Sequence, residues 1–148
     1  MNKVHYLLLF IHLTAGVHAQ TTTKEQQAVQ HTVENMFKFL GEADTVAIRK
    51  YVADNVRFYE YGQVWNLDTI IGKVNQSQKI ADFKRADRFE FVNTTILQNT
   101  AWVTYYLHST FTRNGKEEIA KWMETVILVS DKKNWRISVL HSTRLNER

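Results

Sequence analysis

The sequence predicts an α+β fold, in which helices of the N-terminal half pack on a curved antiparallel sheet formed by the C-terminal half. Between Lys24 and Val74, apolar residues recur every three or four positions, which is typical of amphipathic helices. From Asp87 onward they alternate with polar residues, which is typical of strands that bury one face. Helices followed by a run of strands is the order of an α+β domain, and strands of ten or more residues imply a twisted sheet.

Length and composition indicate one globular domain behind an export signal. The chain has 148 residues, of which 44% are hydrophobic, and domains of about 100–150 residues are the commonest. Lys3, the apolar run 6–11 and the small residue Ala19 fit a signal peptide over residues 1–19. The run is shorter than the roughly 20 residues that span a bilayer. We expect an exported protein, periplasmic or secreted, with its domain at 20–148 and no membrane span after cleavage; an uncleaved anchor is the alternative.

Charge and cysteine content exclude several classes of function. The formal net charge is +4 and the basic residues are scattered, which argues against a nucleic-acid partner. The absence of cysteine excludes disulfides, thiolate nucleophiles and zinc–thiolate sites. The histidines lack the spacing of metal ligands, and no phosphate loop or dinucleotide fingerprint is present. The sequence therefore predicts no metal and no cofactor.

Capping residues define the N-terminal elements. A capping box at Thr23–Gln26 begins the first helix, which we expect to run to about Leu40 and to end at Gly41. Asp44 can cap a short second helix, which Asn55 closes.

The elements that follow are a strand, a third helix and a four-strand meander. The strand covers Val56–Tyr61 and ends at Gly62, and Asn66 or Asp68 caps the helix. The predicted strands of the meander are Arg88–Gln98, Ala101–Arg113, Lys116–Ser130 and Trp135–Leu145.

Turn signals predict the register of the meander. Asn114-Gly115 is a strong two-residue hairpin turn, and it places Tyr105 opposite Glu124. A second tight turn at Lys132-Lys133 would pair Leu128 with Ile137, Val126 with Val139 and Glu124 with His141. Alternatively, a bulge near Leu140 would bring Leu140 and Ser142 to the inner face and turn His141 outward.

The predicted row Tyr105–Glu124–His141 lies between apolar rows, as polar groups do in a ligand pocket. These three side chains could act as general base, orienting group and oxyanion donor, or could be a hydrogen-bonded set that satisfies only itself. Glu60 is in phase with the inward residues of its strand and could join them as a base, or could pair with an arginine at the rim. Trp65 and Trp122 could line a ligand or belong to the core.

Two stretches of the sequence carry a family resemblance. Glu124-Thr125-Val126, followed by Trp135-Arg136-Ile137 and His141-Ser142, is similar to the end of the association domain of calcium/calmodulin-dependent protein kinase II and its bacterial relatives. Residues 58–62, followed by Trp65, resemble the loop after the first strand in exported bacterial members. From Lys24 to Arg144, the chain resembles the nuclear-transport-factor-2-like superfamily, in its SnoaL-like branch, which also includes ketosteroid isomerases and polyketide cyclases.

The resemblance implies a cone-shaped, cystatin-like barrel with an apolar cavity between sheet and helices, and dimers that form through the convex face. On that face Trp102 and Tyr106 lie opposite Ile127 and Met123, which suits a homodimer; a monomer with a partly covered face is the alternative. Ketosteroid isomerases use a carboxylate base with Tyr and a protonated Asp. That set does not transfer position by position, and the arginines in the cavity of the kinase domain correspond here to Val126 and Ser142.

Three hypotheses follow from the sequence. The first is a cup that binds a small hydrophobic or mixed-polarity ligand. The second is a lyase or isomerase of the ketosteroid-isomerase type, in which Glu60 or the Glu124–His141 pair moves a proton next to a carbonyl. The third is a structural homodimer whose cone is filled. An open cavity with a titratable carboxylate in its floor would favour the second, and large side chains closing the mouth would favour the third.

Overall fold

The computed structural model describes residues 22–131 and 134–146. The predicted signal peptide and the turn at Lys132-Lys133 lie outside the described residues. In the described part, helices and strands follow the order α1 (Lys24–Glu42), α2 (Thr45–Tyr51), β1 (Val52–Glu60), β2 (Gln63–Trp65), α3 (Leu67–Ser77), β3 (Lys84–Leu97), β4 (Thr100–Arg113), β5 (Lys116–Ser130) and β6 (Trp135–Leu145). Within these ranges no helix has the length and apolar character needed to cross a membrane.

The capping box at the start of α1 is confirmed, but the predicted end of the helix is wrong. The Thr23 hydroxyl accepts a hydrogen bond from the Gln26 N–H at 3.2 Å, and the Gln26 side chain accepts one from the Thr23 N–H at 2.9 Å. The helix continues through Gly41 and ends at Ala43, which adopts a left-handed φ of 56°. Gly41 is an interior residue of the helix, and a Cβ there would lie in contact with Arg85, 3.4 Å from its carbonyl oxygen.

The first strand begins four residues earlier than predicted, and a further short strand follows it. Asp44 caps α2 as expected, since its carboxylate accepts from the Val46 and Ala47 N–H groups. The first strand, however, begins at Val52 and includes Asn55. Tyr61 and Gly62 both have positive φ and turn the chain into β2, a strand that the sequence reasoning missed.

The six strands form one curved sheet in the order β2-β1-β6-β5-β4-β3, with helices on its concave face. The predicted α+β class is confirmed, but the sheet is mixed because β1 runs parallel to β6. The reason is the connection through α3, which carries the chain from one edge of the sheet to the other before the meander returns to β1. Asn66, and not Asp68, caps α3 by accepting from the Thr69 N–H at 2.9 Å.

The strand register agrees with prediction up to one bulge. Tyr105 lies opposite Glu124, and Leu128 lies opposite Ile137, as predicted. The ladder then shifts by one residue at Ser138, so that Ser142 faces Glu124.

The bulge overturns the predicted Val126–Val139 and Glu124–His141 pairs. His141 faces Thr125 on the outer face. The physical reason is the core: the shift places Leu140, which is 3% exposed, opposite Val126 on the inner face. An unshifted ladder would have buried His141 and exposed Leu140.

Candidate functional site

A cavity of about 320 Å³ lies between the concave face of the sheet and helices α1 and α3. Its wall is mainly aromatic and aliphatic, and includes Phe37, Phe58, Trp65, Leu107, Phe111 and Trp122. Charged side chains interrupt this apolar wall at five positions, which are Glu60, Lys73, Arg85, Arg113 and Glu124. An apolar cavity with a few placed polar groups is the usual form of a small-molecule site.

Glu124 lies in the floor of the cavity, at the middle of β5, and is only 4% exposed. The Tyr105 hydroxyl donates to its Oε2 at 2.6 Å, and the Ser142 hydroxyl donates to its Oε1 at 2.9 Å. Burial raises the pKa of Glu124 to about 7, against the opposing effect of these two hydrogen bonds, and the nearby Glu60 raises it further. The carboxyl therefore changes its charge much closer to neutral pH than an exposed glutamate does.

Glu60 is the second carboxylate of the cavity, at the end of β1. It makes no hydrogen bond or ion pair with any residue in the described ranges. Because Tyr59 pairs with His141, the next position of β1 is level with Ser142, and Ser142 pairs with Glu124. The two carboxylates thus occupy one row across the sheet. Burial raises the pKa of Glu60, while the positive charges of Arg85 and Lys73 act in the opposite direction.

Arg85, on β3, is a cavity residue that the sequence reasoning missed. Its Nε donates to both carboxylate oxygens of Asp87, at 2.8 and 3.0 Å, and its Nη2 lies 3.4 Å from the Ser109 hydroxyl. The guanidinium also lies 5.1 Å from the ring centre of Phe37 and 5.3 Å from that of Phe111. The predicted strand begins at Arg88, four residues after the observed start of β3, and therefore leaves out the inward-facing Arg85 and Asp87.

The two tryptophans named from the sequence both border the cavity. Trp65 lies under the Lys73 ammonium group, which is 4.1 Å from the centre of its ring. Trp122 is buried, and its indole N–H has no hydrogen-bond acceptor among the residues that the structure describes. A cavity wall with this many ring faces suits a flat or apolar ligand body.

The structure brings Glu60, Glu124, Trp65 and Trp122 around one cavity, but it separates two other predicted site residues from it. Tyr105 is fully buried behind Glu124, to which it is hydrogen-bonded, and does not itself line the cavity. His141 lies on the outer face, with its ring 6.5 Å from that of Tyr59. A direct role for His141 in the floor of the cavity is therefore inconsistent with the observed register. In residues 22–131 and 134–146, no group of three potential ligands could hold a metal ion.

Comparison with known families agrees with this geometry. The SnoaL-like domain matches residues 29–144, which is most of the chain. The chain belongs to the SnoaL-like domain family. No curated protein matches this member of the family.

Solved structures resemble this SnoaL-like domain at low sequence identity. An NTF2-like protein from Cytophaga hutchinsonii is 13% identical, with a TM-score of 0.70 over 83% of this chain and 100% of that one. The CaMKII hub of S. rosetta is 20% identical, with a TM-score of 0.69 over 80% and 95% of the two chains. A putative ketosteroid isomerase from Shewanella frigidimarina is 20% identical, with a TM-score of 0.60 over 78% and 94%. These similarities show that the fold is NTF2-like.

Proposed function

We propose that this SnoaL-like domain binds a small molecule with an apolar body and at least one polar group. The observation that carries the proposal is the cavity itself, whose apolar wall holds two carboxylates, Glu60 and Glu124, in one row. Its volume of about 320 Å³ lies at the lower end of the roughly 300–1,000 Å³ typical of ligand sites. A purely structural, filled cone would leave no such space.

The two carboxylates favour proton transfer as the chemistry of the bound molecule. Neither oxygen of Glu60 accepts a hydrogen bond from the residues that the structure describes, so Glu60 is suited to be the base. Glu124 exchanges its proton near neutral pH and is suited to donate a hydrogen bond to a carbonyl oxygen. In this reaction Glu60 removes a proton from the carbon next to the carbonyl and returns it to another carbon of the same molecule. The double bond moves, atoms and charge balance, and the product is an isomer. This function agrees with the neighbour described as a putative ketosteroid isomerase.

A fluorescent probe tests the binding function. The probe is 1-anilinonaphthalene-8-sulfonate, titrated into the wild type, into Val74→Phe and into Val92→Phe. Val74 lines the cavity and Val92 is exposed on β3. We expect the first substitution to weaken binding at least tenfold, because the added ring occupies the cavity, and the second to leave binding unchanged. Equal binding by all three proteins would contradict a ligand site in this cavity.

A simple β,γ-unsaturated ketone tests the reaction, since its conversion to the conjugated isomer is followed by ultraviolet absorbance. We expect Glu60→Gln to lower kcat/KM by about 100-fold or more, the range typical of a lost general base. His141→Gln is the matched control, because His141 is on the outer face. A Glu60→Gln variant with the wild-type rate would exclude Glu60 as the base.

The partner and location of the protein are also proposals. We propose a homodimer through the convex face, on which Trp102 and Tyr106 are 36% and 37% exposed beside the exposed Met123 and Ile127. The similarity to a kinase hub is consistent with oligomerisation. Export to the periplasm or the medium rests on the signal-like pattern of residues 1–19. N-terminal sequencing of the protein from its own source would show whether cleavage leaves Gln20 first.

A further inference from the structure

The connection from Asn66 to Phe83 has an unusual course, because it joins the two opposite edges of the sheet. It leaves β2 at one edge, crosses the concave side as α3, and enters β3 at the other edge. We call residues 66–83 the strap. Several of its side chains form the outer wall of the cavity, including Ile70, Val74 and Phe83.

The strap is packed lightly against the rest of the molecule. Only Ile70 and Val74 are buried within it, and the remaining side chains are exposed or half-buried. The backbone hydrogen bonds after α3 are local, as where the Phe83 N–H donates to the Ile80 carbonyl at 3.1 Å. Elements with few buried contacts open at low free-energy cost, so we expect this part of the cavity wall to move more readily than the sheet.

One side chain ties the far end of the strap to the sheet. The carboxylate of Asp82 accepts the Asn114 N–H at 2.7 Å on one oxygen and the Gly115 N–H at 2.6 Å on the other. These amides form the tip of the β4–β5 hairpin, more than 30 positions away in the chain. Charge-assisted hydrogen bonds to backbone amides are among the stronger ones in proteins.

The near end of the strap is held by strand pairing, a helix cap and a cation–ring contact. It is continuous with β2, which pairs with β1 through Trp65 and Phe58. The Asn66 cap fixes the first turn of α3, and Lys73 lies over the Trp65 ring. Both ends of the strap are therefore continuous with paired strands, since Lys84 pairs with Thr112 directly after the far end. Within the strap itself, the carboxylate of Asp82 adds the tie to the hairpin tip.

From this arrangement we propose that the strap is the gate of the cavity and that Asp82 is its latch. Release of the two hydrogen bonds lets residues 78–83 move away from Phe111, to which Phe83 is close at 6.3 Å between ring centres. The opening lies between the hairpin tip and the end of α3. Ligands enter and leave there, while the sheet and α1 stay in place.

Hydrogen–deuterium exchange of the purified protein tests the latch without any ligand. We compare the wild type with Asp82→Ala and with Asp54→Ala, which removes an exposed carboxylate that has no hydrogen bond or ion pair in the described ranges. We expect Asp82→Ala to raise exchange at least fivefold in peptides covering 67–83 and 112–116, with α1 and the centre of the sheet unchanged. Exchange that stays at the wild-type level, or that rises evenly through the whole domain, would overturn the proposal.

Stopped-flow binding of 1-anilinonaphthalene-8-sulfonate tests the gate. We expect Asp82→Ala to raise the association and dissociation rate constants together, by about fivefold each, and to change Kd by less than twofold. A change of Kd without faster exchange of the dye would assign Asp82 to the site and not to the gate. If the dye does not bind the cavity of the wild type, the proposed binding function fails, and the exchange experiment alone decides the latch.

A disulfide that holds the strap against the hairpin tip tests whether closing the gate slows binding. The chain has no cysteine, so Asp82→Cys combined with Asn114→Cys introduces the only possible disulfide. We expect oxidation to slow dye association at least tenfold and reduction by dithiothreitol to restore it. Oxidised protein that binds the dye at the rate of the reduced form would contradict entry through the strap.

Discussion

The Tyr105 hydroxyl donates a 2.6 Å hydrogen bond to a carboxyl oxygen of Glu124 in the floor of the cavity. Tyr105 is fully buried, and this burial, together with the neighbouring Glu124 carboxylate, raises the pKa of its phenol well above that of a free tyrosine. The phenol therefore keeps its proton at all physiological pH values. Tyr105 is best described as a positioning residue, which holds Glu124 in place and stabilises its charged form.

The first prediction concerns stability and pH. Glu124 has a pKa of about 7 in the folded protein and 4.5 when unperturbed, so between these values the folded state binds more protons than the unfolded chain. The free energy of unfolding should therefore fall by about 3 kcal/mol as pH rises from 4.5 to 7, apart from the effects of other groups. Urea unfolding at several pH values measures this change in the free energy of unfolding.

Glu124→Gln is the control for this prediction. The amide does not titrate, so this part of the pH dependence should vanish, and above pH 7 the variant should be at least as stable as the wild type. An unchanged pH profile in the variant would mean that Glu124 does not carry the proton.

The second prediction tests the bulge at Ser138. Ser142→Ala removes a hydrogen bond to Glu124 that favours its charged form, so the pKa of Glu124 should rise above about 7. His141→Ala should leave that pKa unchanged, because His141 is on the other face of the sheet. Carbon-13 NMR titration of the glutamate carboxyl groups measures both. If His141→Ala changed the pKa of Glu124 and Ser142→Ala did not, the unshifted register would be correct.

The third prediction concerns the end of α1. Ala43 has a left-handed backbone that glycine adopts without strain, so Ala43→Gly should stabilise the protein by about 1 kcal/mol. Gly41→Ala should also stabilise the protein, by up to about 1 kcal/mol, because Gly41 is helical and the new Cβ lies at contact distance from Arg85. Thermal or urea unfolding of the two variants gives the comparison. A destabilising Ala43→Gly would contradict the left-handed end of the helix.

The fourth prediction addresses the homodimer. Ile127 lies opposite Trp102 on the convex face, so Ile127→Glu should place a charge in the proposed interface and shift the protein to monomers. Val46→Glu, on an exposed position of α2, should leave the association unchanged. Light scattering after size-exclusion chromatography reports the mass. A wild-type protein that is monomeric at high concentration would contradict the proposed interface.

The sequence predicted correctly the turns and helix caps that are determined by residues close together in the chain. The Asn114-Gly115 turn determines the pairing of β4 with β5, because both residues adopt the positive φ that a two-residue hairpin requires. The side-chain caps at Thr23 and Asp44 likewise act within three residues of the chain. The residues of each turn or cap are enough to define these features, so the sequence was sufficient to predict them.

Tertiary packing decided what the sequence left open. The bulge at Ser138 buries Leu140 and agrees with the alternative register that the sequence offered, but only packing against Val126 decides between the two registers. Arg85 is held at the cavity by Asp87, two residues along its own strand, and by Ser109 on the neighbouring strand β4. Glu60 lies in the same row as Glu124 because β1 pairs in parallel with β6. That pairing could be predicted only from the complete strand order of the sheet.

The most direct test of the central claim is native mass spectrometry of the protein purified from its own source, followed by denaturation of the same sample. The cavity with its two carboxylates predicts that a small molecule travels with the folded protein, is released on unfolding, and is lost from Val74→Phe. A wild-type protein that is empty when purified, and that takes up no fluorescent probe in its cavity, would contradict the account.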